Sequence, residues 1–393
     1  MHNATVIIKM EIYLDNAATT RVSPQAAETV KNIMCAEFGN PSSMHLMGTQ
    51  AERLVRASAK KIADILKAKE KEIFFTSGGT ESNNWALVGA MRANKRNGNR
   101  IVTSKIEHAS VSATMDFLSE QGYDVVRIGT DKNGVIDLNE LESVVDDNTV
   151  LVSIMAVNNE IGTLQPLEEI GRIIKKKNPK VIFHSDAIQA FGKIKLNPRR
   201  LGVDMLSVSG HKIHAPKGIG FLYVSEKIRI SPLIYGGGQQ NGMRSGTDNV
   251  PGIAALAQAA EDAYSNIDEI SEKMYALRSR LIEGLSSIDD VVINSPDNSL
   301  SAPHIVNASF LGIRSEVMLH SLEEKGVYVS AGSACSSHKR ALSPTLLAIG
   351  CDKERAESAI RFSFCDETSE NEIDEAIAAI RDLVPMLRRY VRH

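Results

Sequence analysis

Lysine, aspartate, histidine and cysteine occur in this chain in settings that suit chemistry. Lys212 stands in SVSGHKIHAPKGIG, residues 207–220, directly after an apolar run. A lysine there can form a Schiff base with an aldehyde cofactor, and Ser209 and His211 beside it offer a hydroxyl and an imidazole to a phosphate. The competing reading, a solvated lysine in a glycine-rich loop, leaves those flanking donors without a use. Asp186 closes the run VIFHSDA, with Gln189 just beyond it. A carboxylate at a strand end can keep a pyridinium nitrogen protonated and so make the ring an electron sink. Gln189 is placed to reach the phenolic oxygen of such a ring. The same aspartate also suits a helix N-cap.

Four further clusters follow the same logic. TSGGTESNN, residues 76–84, comes straight after IFF. A strand that opens through small residues into a helix leaves free N–H groups at a positive helix end. Gly78 and Gly79 would let phosphate oxygens approach, and Thr80 would add a hydroxyl; a plain Gly-Gly turn is the other reading. His108 in KIEHAS and Asn158 in VNNEIG also follow apolar strands. An imidazole there can stack on a pyridine ring and move protons near neutral pH, and the asparagine can donate to the phenolic oxygen or to a substrate carboxylate. Arg361 lies in the strand-like run AIRFSF, where a charge is costly unless paired. It suits either a substrate carboxylate or a structural salt bridge. Cys335 sits among small and polar residues in SAGSACSSHKRALSP, which reads as an exposed loop. His338, Lys339 and Arg340 nearby would favour its thiolate. Cys35, Cys351 and Cys365 lie in or beside apolar periodic segments and read as packing residues.

The elements that must position these groups alternate. EIFFTSGG precedes ESNNWALVGAMRANKR, RIVTSK precedes SATMDFLSEQG, and TVLVSIMAV precedes PLEEIGRIIKKK; VIFHSDA and MLSVSG continue the series. This predicts an α/β domain with a mostly parallel sheet covered by helices on both faces. Its strand ends then point toward one crevice, the usual ligand position. From about Asn249 the texture changes to one long helical stretch through IAALAQAAEDAYSNIDEISEKMYALRSRLIEGLSS. Shorter strands and helices follow it, up to a last amphipathic helix. The expected division is a large domain over residues 16–262 and a smaller α+β domain from 1–15 and 263–393, the latter carrying the cysteine loop at about 330–345.

The bulk numbers set limits. The 393 residues suffice for such a pair of domains. A net charge of -3 gives no field for nucleic acid and no polybasic face for a membrane. The runs Lys175–Lys177 and Arg388–Arg389 read as solvated faces. No apolar stretch is long enough to cross a bilayer, and the first residues lack the pattern of a signal peptide. Four cysteines without a CxxC pair suit a reducing cytoplasm.

Taken together, YLDNAATT, GNPSSMHLMG, FTSGGTESNN, VNNEIGTLQP, DAIQAFGK, SGHKIHAPKGIG, RSGTDN and GSACSS resemble the cysteine desulfurases of the NifS/IscS type, within the fold type I pyridoxal-phosphate enzymes. The resemblance runs nearly end to end. It implies that Lys212 holds pyridoxal phosphate, that His108 stacks on the ring and helps move protons, that Asp186 pairs with the pyridinium and that Gln189 meets the phenolic oxygen. It implies that Gly79, Thr80, Ser209 and His211 hold the phosphate, joined by Thr247 from the other subunit of a homodimer. Asn158, beside the cofactor, and Arg361 would bind the carboxylate of L-cysteine, and Cys335 would attack its sulfur. The product would be alanine, with the sulfur carried on Cys335 to an acceptor such as an iron–sulfur scaffold protein or a tRNA-thiolation protein. No intrinsic metal is implied, although Cys335 could ligate a transferred iron–sulfur cluster. The long loop around Cys335 resembles the group that feeds cluster assembly rather than the shorter-loop SufS and selenocysteine-lyase group. One departure is Gln240 in GGGQQNG, where the family usually has an acid. An aminotransferase or a selenocysteine lyase on the same fold, and a non-catalytic scaffold, are the alternative readings.

Overall fold

A computed structural model describes residues 11–331 and 342–391 of the chain. After a two-residue strand β1, Ile12–Tyr13, seven strands build one sheet. They are β2 (Ile73–Thr76), β3 (Arg100–Ser104), β4 (Asp124–Ile128), β5 (Thr149–Ser153), β6 (Ile182–Asp186), β7 (Met205–Ser209) and β8 (Gly220–Val224). Their spatial order is β2-β8-β7-β6-β5-β3-β4. The strands from β7 across to β4 pair in parallel, and β8 runs antiparallel to both of its neighbours.

These strands read as unbroken apolar runs because helices bury both of their faces. Along β8, Phe221 and Tyr223 enter one core while Leu222 and Val224 enter the other. One face packs on helices such as Leu46–Leu66 and Leu167–Lys177, through Ile62, Ile170 and Ile174. The opposite face packs on Gly79–Ala93 and Ala109–Glu120, through Trp85, Leu87, Val111 and Met115.

A second core lies around a four-stranded antiparallel sheet of β9 (Val291–Ile293), β10 (Ile305–Phe310), β12 (Ser330–Ala331) and β13 (Ala359–Ser363), in the order β12-β13-β10-β9. Met274, Leu277, Leu281 and Leu285 of the helix Ile267–Ser286 fill it, with Ile373, Ile377 and Ile380 of the last helix, Glu370–Val391. Ile12 and Leu14 join it because β1 pairs in parallel with β11, Val327–Tyr328.

The long helical stretch is two helices, Val250–Ser265 and Ile267–Ser286. Asn266 leaves the helical region at φ -135 and ψ 40, and Asp268 and Glu269 open the next helix at its positive end. Ile253, Leu256, Ala259 and Ala260 of the first helix belong to the core of the large sheet, whereas the second helix fills the other core. Periodicity alone does not register such a break, since both halves keep a helical spacing.

Three surface expectations also change. Cys35 ends the helix Pro24–Cys35 and is exposed, because that helix buries Ala26 and Ile33 and turns Cys35 away from them. Lys175 is half-buried and donates to the Val181 carbonyl and to Asp204, each at 2.7 Å. Arg388 donates to three backbone carbonyls, those of Leu311, Asp289 and Asp290.

Candidate active site

The crevice forms at the C-terminal ends of β3, β5, β6 and β7, where the sheet order brings distant segments together. Asp186 ends β6 and is 4% exposed. Its Oδ1 accepts from the Ile188 N–H at 3.0 Å and its Oδ2 from Asn83 Nδ2 at 2.8 Å. Burial pushes this carboxyl up from the ordinary aspartate value, while His108, the two hydrogen bonds and Lys212 pull it down. The site therefore favours a cation close to Asp186.

His108 caps the helix Ala109–Glu120. The Ser110 N–H donates to His108 Nδ1 at 3.1 Å, so the proton of the neutral ring sits on Nε2. Ser110 Oγ lies 2.8 Å from the same Nδ1 and accepts from Asn83 Nδ2 at 2.9 Å. Asp186, Asn83, Ser110 and His108 thus form one hydrogen-bonded chain. The His108 imidazole is held below its usual value chiefly by burial, then by Lys212 and Arg361, against the pull of Asp186.

Lys212 closes a single turn after β7, Gly210–Lys212. Its Nζ donates to the carbonyls of Ala17 at 2.5 Å and Ala18 at 2.7 Å. Gln189 Nε2 donates to the same Ala17 oxygen at 2.9 Å, and Gln189 Oε1 lies 3.3 Å from His304 Nε2.

The cup precedes and opens the helix Gly79–Ala93. Gly78 has φ +150, and a Cβ on Gly79 would lie 2.1 Å from Ile188 Cδ1. A Cβ on Gly220 of the adjoining strand would come within 2.8 Å of the Gly78 Cα, so only glycine keeps the two backbones this close. The resulting cleft of about 400 Å³ is lined by Gly79, Thr80, Ser209, His211 and Lys217. Burial, with Lys212 and Lys217, pushes His211 down to about 4. Glu81 stands at the same helix end, but Arg244 holds it in a two-pronged contact at 2.8 and 3.1 Å. That contact, together with the Ser77 N–H, keeps its carboxyl below the usual range despite burial.

Arg361 on β13 faces the crevice from the second sheet. Its Nη2 meets Asp15 Oδ1 at 2.9 Å, its Nη1 donates to the Asn159 carbonyl at 2.9 Å, and its buried Nε has no hydrogen-bond partner. Asn158 is fully buried and its amide is spent on the backbone around it. It donates to the Ile106 carbonyl at 3.1 Å and accepts from the N–H groups of Glu160 and Ile161 at 2.9 Å. Thr247 is exposed on the loop between β8 and the helix Val250–Ser265. Cys335 lies outside the described residues.

The sequence reading left out Asn83, Ser110, Lys217 and Asp15, although each falls inside a quoted motif. Asn83 was within reach of pattern reasoning, since it stands one helical turn beyond Gly79 and so shares the face of the cup. Glu107 was also missed. Half-buried, with its Oε2 atom enclosed, it accepts from Ser104 Oγ at 2.6 Å and from the Met155 N–H at 3.0 Å. Burial raises its carboxyl to about 8, so it is protonated at neutral pH.

A buried carboxylate, a lysine on the next strand end and a glycine-lined anion cup at a helix N-terminus define a fold type I pyridoxal-phosphate enzyme. The donors fit that cofactor: cations and hydroxyls surround the cup, and the raised Asp186 carboxyl favours a ring cation beside it. The aminotransferase class-V model matches residues 12–376, and the chain belongs to that family, among the cysteine desulfurases of the NifS/IscS type. It is 38% identical over 392 residues to cysteine desulfurase IscS of Clostridium botulinum strain Hall, covering 98% of each chain. It is 41% identical over 377 residues to cysteine desulfurase IscS of Methanosarcina thermophila, covering 96% of this chain and 93% of that one. The solved structure of a NifS-like protein superposes with a TM-score of 0.91 at 40% identity, over 96% of this chain and all of that one.

Proposed function

We propose that the chain is a pyridoxal-phosphate-dependent cysteine desulfurase that converts L-cysteine to L-alanine and carries the sulfur on Cys335 to an acceptor. The observation that carries this reading is the chain from Asp186 through Asn83 and Ser110 to His108, with Lys212 at its side. When bound, pyridoxal phosphate supplies the electron sink for charge developed at the substrate α-carbon.

Each residue then has a task. Gly79, Thr80, Ser209 and His211, with Lys217, hold the phosphate, and Asp186 holds the ring nitrogen charged. Gln189, tied to the same carbonyl as Lys212, faces the phenolic side. Arg361 receives the substrate carboxylate through its unfilled Nε edge, with Asp15 fixing its plane. Lys212 Nζ takes the α-proton and returns one at the carbon that becomes the alanine methyl group, and His108 Nε2 assists that transfer. The Cys335 thiolate attacks the substrate sulfur: an S–S bond forms, the C–S bond breaks with its electron pair left on carbon, and a persulfide stays on Cys335. Asn158 acts at one remove, by shaping the turn that places Asn159 against Arg361.

A homodimer fits this reading, because Phe38, Met44 and Leu46 are 67%, 102% and 69% exposed on the single chain, and Thr247 is exposed on a surface loop. The acceptor is proposed to be an iron–sulfur scaffold protein or a tRNA-thiolation protein. A cytoplasmic setting accords with the unpaired Cys35, Cys351 and Cys365 and with the lack of a membrane-spanning helix among the described residues.

The test gives the loaded protein L-cysteine and a reductant and quantifies alanine and sulfide beside a Cys335→Ser control. Equal amounts of both products, lost in the control, are expected. Sulfide released at full rate by Cys335→Ser, or keto acid in place of alanine, would overturn the reading.

A further inference from the structure

We propose that His214, Cys365 and Asp366 bind one divalent transition-metal ion of the zinc class, at a site separate from the cofactor cup. His214 Nε2, the Cys365 sulfur and an Asp366 carboxylate oxygen all lie within 4.8 Å of one another. Sulfur, imidazole and carboxylate together suit zinc or cobalt rather than magnesium or calcium. Metal–ligand bonds of about 2.0–2.3 Å would need the three atoms to draw in by about 1 Å. Three protein ligands leave a fourth position for water.

The far side of the His214 ring is held as a metal ligand needs it. His214 Nδ1 lies 2.8 Å from the Arg21 carbonyl, which can only accept, so this nitrogen carries a proton. In the neutral ring the lone pair is then on Nε2, which is buried without a well-formed hydrogen bond and stands 3.3 Å from Asp366 Oδ1. Despite burial, the Asp366 carboxylate holds this imidazole protonated, pushed up to about 10, so a bound ion must take the place of that proton. A backbone carbonyl holding the far N–H is the support that metal-ligating histidines receive. Thr368 Oγ1 stands 3.9 Å from the Cys365 sulfur and accepts from the Cys365 N–H at 3.2 Å.

The backbone is set for this aim. His214 has φ +65, a left-handed conformation uncommon outside glycine. It is held there because its N–H donates to Thr20 Oγ1 at 2.8 Å and its carbonyl accepts from Ser23 at 2.9 Å. The side chain is thereby directed across to the residues that follow β13. One charge opposes the ion. Lys193 is buried, 6% exposed, and interacts with both Cys365 and Asp366. A bound ion must displace that ammonium, so removing it should tighten binding.

The ion would tie the segment just beyond Lys212 to the segment just beyond Arg361, fixing the distance between two groups of the crevice. The site itself does not depend on the reaction catalysed. The test uses the cofactor-loaded Cys335→Ser protein, in which Cys335 contributes no ligand, and measures zinc per chain by dialysis against a competing chelator. Cobalt provides a second readout through its visible ligand-field bands. One ion per chain with tetrahedral cobalt bands is expected. Cys365→Ser and His214→Asn should each weaken binding by more than the ~10–100-fold that outer-shell changes cost, and Lys193→Met should tighten it. Absence of stoichiometric zinc, or binding left unchanged by Cys365→Ser, would overturn the proposal. Should Cys365→Ser fail to fold, the isosteric Asp366→Asn decides, since unchanged affinity there would overturn it equally.

Discussion

Asn83 donates one amide hydrogen to Asp186 Oδ2 at 2.8 Å and the other to Ser110 Oγ at 2.9 Å, so a single side chain ties the strand-end carboxylate to the His108 cap. Replacing it with alanine leaves a buried carboxylate short of a donor. A hydrogen bond to a charged group contributes about 1.5–3 kcal/mol. Asn83→Ala is therefore expected to weaken pyridoxal phosphate roughly 10-fold or more, read from an absorbance titration of the cofactor-free protein. Unchanged affinity would mean that Asp186 is set by Ile188 alone.

Arg361 and Asp15 make a second pair, at 2.9 Å, between β13 and the end of β1. Under the proposed role, Arg361→Lys loses the fork and should raise KM for L-cysteine by roughly 10–100-fold, the equivalent of one or two charged hydrogen bonds. Asp15→Asn should raise KM less, because it loosens the guanidinium without removing it. A fall in kcat at constant KM in both variants would assign the pair to stability rather than substrate binding.

Glu107 supplies a pH dependence. Its carboxyl rises from an ordinary value near 4.5 to about 8 on folding. The unfolded chain therefore releases this proton more readily, and the native state loses stability as pH rises from about 4.5 to 8, with no further loss above that. Glu107→Gln removes the titration. Its thermal midpoint relative to the parent should improve steadily between pH 5 and pH 8, and a constant difference would contradict the buried, protonated carboxyl.

Gln240 explains the departure from the family pattern. It accepts from the Phe75 N–H at 2.6 Å and donates to the Phe75 carbonyl at 3.0 Å, so its amide acts as a one-residue strand on the open edge of β2. It also donates to Asp248 at 3.2 Å. A carboxylate can accept but not donate, and it would stand beside an Asp248 carboxyl that burial already pushes up. Gln240→Glu is expected to cost about 1–3 kcal/mol, more at pH 8 than at pH 5, in denaturant unfolding of the loaded protein.

The cup offers a test of close packing. Gly79→Ala places a methyl group 2.1 Å from Ile188 Cδ1 and should weaken phosphate binding, measured with inorganic phosphate as a competitor of the cofactor. Adding Ile188→Ala makes room and should restore much of the loss. Failure of that rescue would locate the effect in the backbone instead.

Much of the fold was legible because its signals are local. Apolar strands followed by helical periods gave the parallel sheet, and the strand ends gave Lys212, Asp186, His108 and the cup. The break at Asn266 was hidden because both halves share one period, and the exposure of Cys35 depends on which face of its helix the core takes. Lys175 looked solvated until β6 and β7 brought Val181 and Asp204 to it.

By itself the sequence determined the residue types at the strand ends, their order along the chain and the family they belong to. Tertiary structure alone decided which of them meet. Asn83 reaches Asp186 across 103 residues because the helix Gly79–Ala93 lies over β6, and Asp15 reaches Arg361 across 346 because β1 packs into the second core and Asp15 bridges to Ser363 at the end of β13. His214 meets Cys365 and Asp366 in the same way. Spacing encodes what neighbours along the chain can do, whereas these partners are chosen by strand order and by the packing of two cores, which no local pattern records.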